Sequence, residues 1–217
     1  EGPSAYNVFR QFAAGETPRG PGRFSTIDAS CDPVPAMRPT PPPDYLAGYP
    51  AHLVEPVRQA IAGNRLGDIL LKKYPQAHEV RTDKALYDYV LAIKAAHLRN
   101  APQPSKVAFD GKLQTLRQAL GTHTKIARVQ GGKLKTKREI HVASIFRDMP
   151  PEFLRMIVAH EISHLKEPEH DKAFYQLCQH MAPDYFQLEF DLRAYLLCHL
   201  AAGGPPLWGA DSSASPT

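Results

Sequence analysis

Between residues 154 and 165 a set of apolar side chains encloses a small polar island, and this stretch limits the folds open to the chain. Leu154, Ile157, Val158, Ile162 and Leu165 give a helix an apolar surface that has to be buried, with His160, Glu161 and His164 set inside it. Histidines four residues apart project from one face of a helix, one turn above the other. The order H-E-x-x-H lets two imidazoles bind Zn²⁺ and sets a carboxylate beside the water that the ion activates. Pro168 is expected to end this helix, because proline cannot continue the hydrogen-bond ladder. His170 comes just after that break, where a chain turning back under the helix offers a third imidazole.

Catalytic zinc takes three protein ligands and keeps one position for water. His160, His164 and His170 are therefore the expected ligands of one Zn²⁺ per chain, and Glu161 is left as the general base. A purely structural zinc site is disfavoured, since such sites close with four ligands, usually thiolates, and no fourth ligand is apparent. Cys31, Cys178 and Cys198 contain no C-x-x-C pair, which argues against a disulfide framework and fits a reducing cytoplasm. Cys178 and Cys198 fall in apolar helical patterns and read as core thiols.

The run His160-Glu161-Ile162-Ser163-His164-Leu165, the segment Glu167 to Phe174, and Pro183-Asp184-Tyr185 together closely resemble the YgjP-like metallopeptidase family. That family carries H-E-x-x-H-L, then N-H-S-x-x-F, then a downstream P-D-Y, and is a zincin relative of the SprT-type proteins. The spacing of all three histidines matches. Glu169 and Asp171 flank His170 where Asn and Ser are commoner, a departure that leaves the ligands intact. Glu167 stands where metzincins carry glycine, which sets that group aside. The match covers Pro151 to Tyr185. It implies a zincin-like α+β fold, with a small antiparallel sheet packed on the active-site helix and additional helices before and after. In zincins a strand beside that helix presents its backbone to an extended peptide. The activity implied is that of a zinc-dependent hydrolase, most simply a metallopeptidase with a peptide or protein substrate.

A chain of 217 residues with 43% hydrophobic content can bury one good core. It shows neither an apolar run of membrane-spanning length nor a signal-peptide pattern, so no membrane partner and a cytoplasmic location are expected. The formal net charge of +4 is unevenly spread. Lys112, Arg117, Lys125, Arg128, Lys133, Lys135, Lys137, Arg138 and Arg147 face only Glu139 in that interval. Such an excess attracts nucleic acid, nucleotide phosphate or an acidic protein, or it is a solvated hairpin face whose lysines guard an edge strand. Two other functions follow. One is a metal-dependent hydrolase of a nucleotide phosphoanhydride, with Lys133 to Arg138 neutralising phosphate. The other is a nucleic-acid-associated protease that uses the basic 125–138 hairpin.

Residues 1–50 hold ten of the 21 prolines and read as an extended or disordered leader. Residues 51–103 read as a helical N-terminal cap. Leu53, Val54, Val57 and Ile61 share one face before Gly63, a short helix ends before Pro75, and Thr82 caps a longer one. Residues 104–202 are the expected catalytic core and 203–217 a disordered tail, in which Trp208 has no evident partner. Within the core, Asp110-Gly111 signals a hairpin after Val107 and Phe109, and Gly131-Gly132 joins strands 124–129 and 139–146. His123 and His141 read as surface or core histidines. Tyr175, His180 and Tyr185 read as structural, although each has the chemistry to steady an oxyanion.

Overall fold

The computed structural model describes residues 44–111, 122–130, 133–202 and 206–209. Proline-rich residues 1–43 and the segment 112–121, which includes Leu113 to Leu120, lie outside the described residues.

Three helices open the described chain: α1 (Ala51–Ala62), α2 (Leu66–Lys73) and α3 (Asp83–His97). Pro56 falls inside α1 without ending it. Thr82 caps α3 as expected, its hydroxyl accepting from the Ala85 N–H at 3.1 Å. The inward faces of these helices belong to the same hydrophobic core as the H-E-x-x-H segment. Ala60, Leu66, Leu70, Leu86 and Val90 are buried in one cluster with Phe153, Ile157 and Ile162.

Strands β1 (Lys106–Asp110), β2 (Thr122–Gln130) and β3 (Lys133–Ala143) form a sheet in the order β1-β3-β2. The fold is α+β, but the expected all-antiparallel sheet is not what forms. β2 and β3 make the anticipated antiparallel hairpin, whereas β1 pairs with β3 in parallel, Val107 opposite Ile140 and Phe109 opposite Val142. The Asp110-Gly111 doublet sets only a local backbone preference. The partner of β1 is decided by apolar matching, since Val107, Phe109, Ile140 and Val142 are all buried in the common core. The last strand also ends earlier than the sequence suggests. Ser144–Asp148 is a 3₁₀ turn that drops Phe146 into the core at 0% exposure.

Helix α4 (Pro151–Ser163) runs through the middle of this core, with Pro151 in its first turn, where the missing N–H is no loss. It stops at Ser163, ahead of Pro168. His164 is the C-cap, still in helical conformation, and the following N–H groups fold back onto Ile162 and Ser163. Such a tightened turn needs no proline to end it. Helices α5 (Lys172–Met181) and α6 (Tyr185–Ala202) follow and pack in the same core as α4. Among the described residues no helix is long and apolar enough to cross a membrane.

Trp208 does have a partner. Its indole N–H donates to the Tyr74 carbonyl at 2.7 Å, and the ring is 3% exposed between Phe153 and Tyr195.

Candidate metal centre

The three histidines predicted as ligands converge. One ligand atom from each of His160, His164 and His170 lies within 4.8 Å of the others. α4 supplies the first two one turn apart, and the loop before α5 brings back the third. Asp171, the residue after His170, caps α5 by accepting from the Phe174 N–H at 3.0 Å, which fixes where the loop enters the helix. Phe174 then forms a common floor, its ring centroid 4.9, 4.5 and 4.7 Å from those of His160, His164 and His170.

The orientation of the imidazoles is set from outside the cluster. His160 Nδ1 is 2.7 Å from the Tyr185 hydroxyl, and His164 Nδ1 is 3.2 Å from the Glu167 carbonyl. With Nδ1 so engaged, Nε2 is the nitrogen of each ring left for an ion. His160 Nε2 and His170 Nε2 are 3.3 Å apart. Two nitrogens bound to one tetrahedral ion at about 2.0–2.1 Å each would lie about 3.3 Å from one another. This separation therefore suits a shared ion as well as it suits a hydrogen bond between rings.

The electrostatics agree with that donor set. Burial first, then neighbouring His164 and His170, holds the His160 imidazole well below its ordinary value, and burial lowers that of His170. Neutral imidazole is the form that binds a metal. Glu161 is 1% exposed, and neither carboxylate oxygen has a hydrogen-bond partner among the described residues. Burial pushes this carboxyl well above the usual carboxylate range. A buried acidic group left unsatisfied is costly and calls for a partner such as water or an ion. The residues present fit a divalent ion.

The other candidates fall elsewhere. His141 lies between Glu139, at 3.4 Å, and Asp110, at 3.6 Å, and is not one of the three converging histidines. The His123 side chain is outside the described ones. His180 packs edge-on against His97, with ring centroids 5.0 Å apart. Cys178 is a core thiol 3.4 Å from the Ser163 hydroxyl, and burial pushes it up to about 12. Tyr185 is the residue whose part the sequence reading missed. The downstream P-D-Y in the resemblance was the available signal, but a contact 25 residues distant carries no local periodicity.

Three converging histidines, two from a buried helix and one from the loop that follows it, beside a carboxylate with no partner among the described residues, are the constellation of a metal-dependent hydrolase. The family model described as YgjP-like, metallopeptidase domain, matches residues 110–195. A relative from Escherichia coli (strain K12), a UTP pyrophosphatase, is 58% identical over 152 residues, covering 70% of this chain and 91% of its own length. No solved structure matches. The chain belongs to the YgjP-like family.

Proposed function

We propose that this chain is a zinc-dependent hydrolase that cleaves the phosphoanhydride of a nucleoside triphosphate and releases pyrophosphate, with UTP the first substrate to try. The hydrolase part is carried by the convergence of His160, His164 and His170 next to the buried Glu161, which has no hydrogen-bond partner among the described residues. The choice of bond is supported by the 58% identity to a UTP pyrophosphatase. It replaces the peptide substrate that the sequence puts first.

His160, His164 and His170 would hold the ion, and zinc is the proposed occupant because three imidazoles with room for water suit it. When bound, the ion supplies Lewis acidity and makes water acidic enough to act as a nucleophile near neutral pH. Glu161 takes the proton from the attacking water on a carboxylate oxygen. Its buried, unpartnered carboxyl holds that proton well because burial favours the neutral form. Water oxygen bonds to phosphorus, the bridging oxygen–phosphorus bond breaks, and pyrophosphate departs with the electron pair. The Lys and Arg excess from Lys125 to Arg138 supplies countercharge that draws a triphosphate to this part of the chain.

The test is to incubate the zinc-loaded chain with UTP and, separately, with a mixed peptide library, following nucleoside monophosphate and pyrophosphate by ion chromatography. Pyrophosphate from UTP, abolished in Glu161→Gln, supports the reading. Peptide cleavage without nucleotide turnover would overturn it in favour of a peptidase.

A further inference from the structure

We infer that Tyr185 is a positioning residue for the metal centre: its phenolic oxygen accepts a hydrogen bond from His160 Nδ1–H and keeps the His160 Nε2 lone pair turned towards His164 and His170. The inference rests on the three-histidine metal site proposed above.

In its bond to a single ring nitrogen a phenol either donates or accepts, and a neutral imidazole carries one ring proton. Were Tyr185 to donate to Nδ1, the ring proton would sit on Nε2. It would then point at His170 Nε2, 3.3 Å away, in the space where the ligand atoms converge. Ligation through Nε2 requires the proton on Nδ1 and an acceptor to hold it there. The group at that position is the Tyr185 oxygen, 2.7 Å away. Both residues are buried, His160 at 8% and Tyr185 at 1% exposure, so water competes poorly for the bond. Phe174 packs edge-on against the His160 ring, with centroids 4.9 Å apart, and offers it no polar partner.

Further along α6 from Tyr185 lies a partly buried ion pair. Tyr185, Glu189 and Arg193 recur at four-residue steps along one face of α6. Arg193 grips Glu189 Oε1 through two nitrogens, at 2.6 and 3.0 Å. Glu189 Oε2 is buried with no hydrogen-bond partner among the described residues. Glu189 acts on Tyr185 through space and favours the neutral phenol. The Arg193 partner keeps this buried charge from standing alone. The His160–Tyr185 contact thus joins α4 to α6 in an otherwise apolar core, with the Arg193–Glu189 pair further along the same helix.

The experiment compares the full chain with Tyr185→Phe, which keeps the ring and removes only the oxygen. Zinc affinity is measured by competition with a chromophoric chelator, and the thermal midpoint is read on the metal-free proteins. The expected result is zinc binding weakened about 10- to 100-fold with little change in the metal-free midpoint. A second measurement uses the zinc-loaded wild-type chain alone. Nitrogen-15 NMR of the imidazoles should show a His160 Nδ1–H protected from solvent exchange. Zinc affinity in Tyr185→Phe within about twofold of wild type, below the loss expected for removing such a partner, would overturn the inference. So would a His160 Nδ1–H that exchanges freely in the wild type. A wild-type chain that takes up no zinc fails differently: it removes the metal site itself, and the role of Tyr185 with it.

Discussion

The ring of Phe174 packs 4.5 Å from that of His164, and the same ring also meets His160 and His170. One side chain at 0% exposure thus belongs both to the hydrophobic core and to the histidine cluster. Replacing it with alanine removes the floor under three imidazoles and opens a cavity in the core. Phe174→Ala is expected to cost about 3–5 kcal/mol in urea unfolding of the metal-free chain. Zinc affinity should fall as well. A cost well under 1 kcal/mol would show that the surrounding helices collapse into the space and that the ring is not the support described.

Metal removal gives a prediction independent of any substrate. An ion that binds the folded chain alone stabilises it by about 2.7 kcal/mol when its free concentration is 100-fold above Kd. For a chain of this size that corresponds to a thermal midpoint about 5–10 °C higher. Chelation should reverse the shift, and zinc should restore it. His164→Ala should melt at one temperature with or without zinc. Glu161→Gln should keep the zinc-dependent shift while losing at least about 100-fold in turnover. A zinc response in His164→Ala equal to that of wild type would place the ion elsewhere.

These residues were legible in the sequence because their relationship is local. Two histidines one helical turn apart, and a third ten residues from the first, can be read from spacing alone, and the structure brings all three together. The helices before the sheet were legible for the same reason, through Thr82 and Gly63. What could not be read depends on contacts between distant segments. The parallel partner of β1 is chosen by burial of Val107 and Phe109 against Ile140 and Val142. Tyr185 reaches His160 across 25 residues. Trp208 lies in a short Gly- and Pro-bounded stretch without periodicity, yet it docks on Tyr74 from 134 residues away.

His78 makes the fold sensitive to acid. Its ring is 6% exposed, with Nε2 donating to the Phe146 carbonyl at 2.7 Å and Nδ1 accepting from the Val80 N–H at 3.0 Å. A second ring proton would have to displace the Val80 contact. Burial in the first place holds this imidazole below its ordinary 6.5, while the Phe146 bond partly opposes the shift. As pH falls through 6.5 the unfolded chain takes up this proton first. The contribution of His78 is therefore whole above 6.5, falls as pH drops towards the lowered folded value, and is flat below it. Urea unfolding across that interval should show a shallower loss of stability in His78→Gln than in the wild type. Equal slopes would mean that the ring is protonated as readily in the fold as outside it.

Asp171 keeps a helix cap at a position where the chain departs from the family pattern. Serine is commoner in the family at that position, and aspartate and serine are comparably good helix N-caps. Here the Asp171 side chain accepts from the Phe174 N–H at 3.0 Å, joining the residue after His170 to the ring beneath all three histidines. A serine hydroxyl can make the same bond. Asp171→Ser should thus leave stability and zinc affinity close to those of wild type. Asp171→Ala should lose about 1 kcal/mol in urea unfolding. Its zinc affinity should also fall, because the loop carrying His170 would no longer be tied to the start of α5. A serine variant as weak as the alanine one would mean that the carboxylate charge, rather than the cap, supports His170. The commoner serine would then have to support that histidine in a different way.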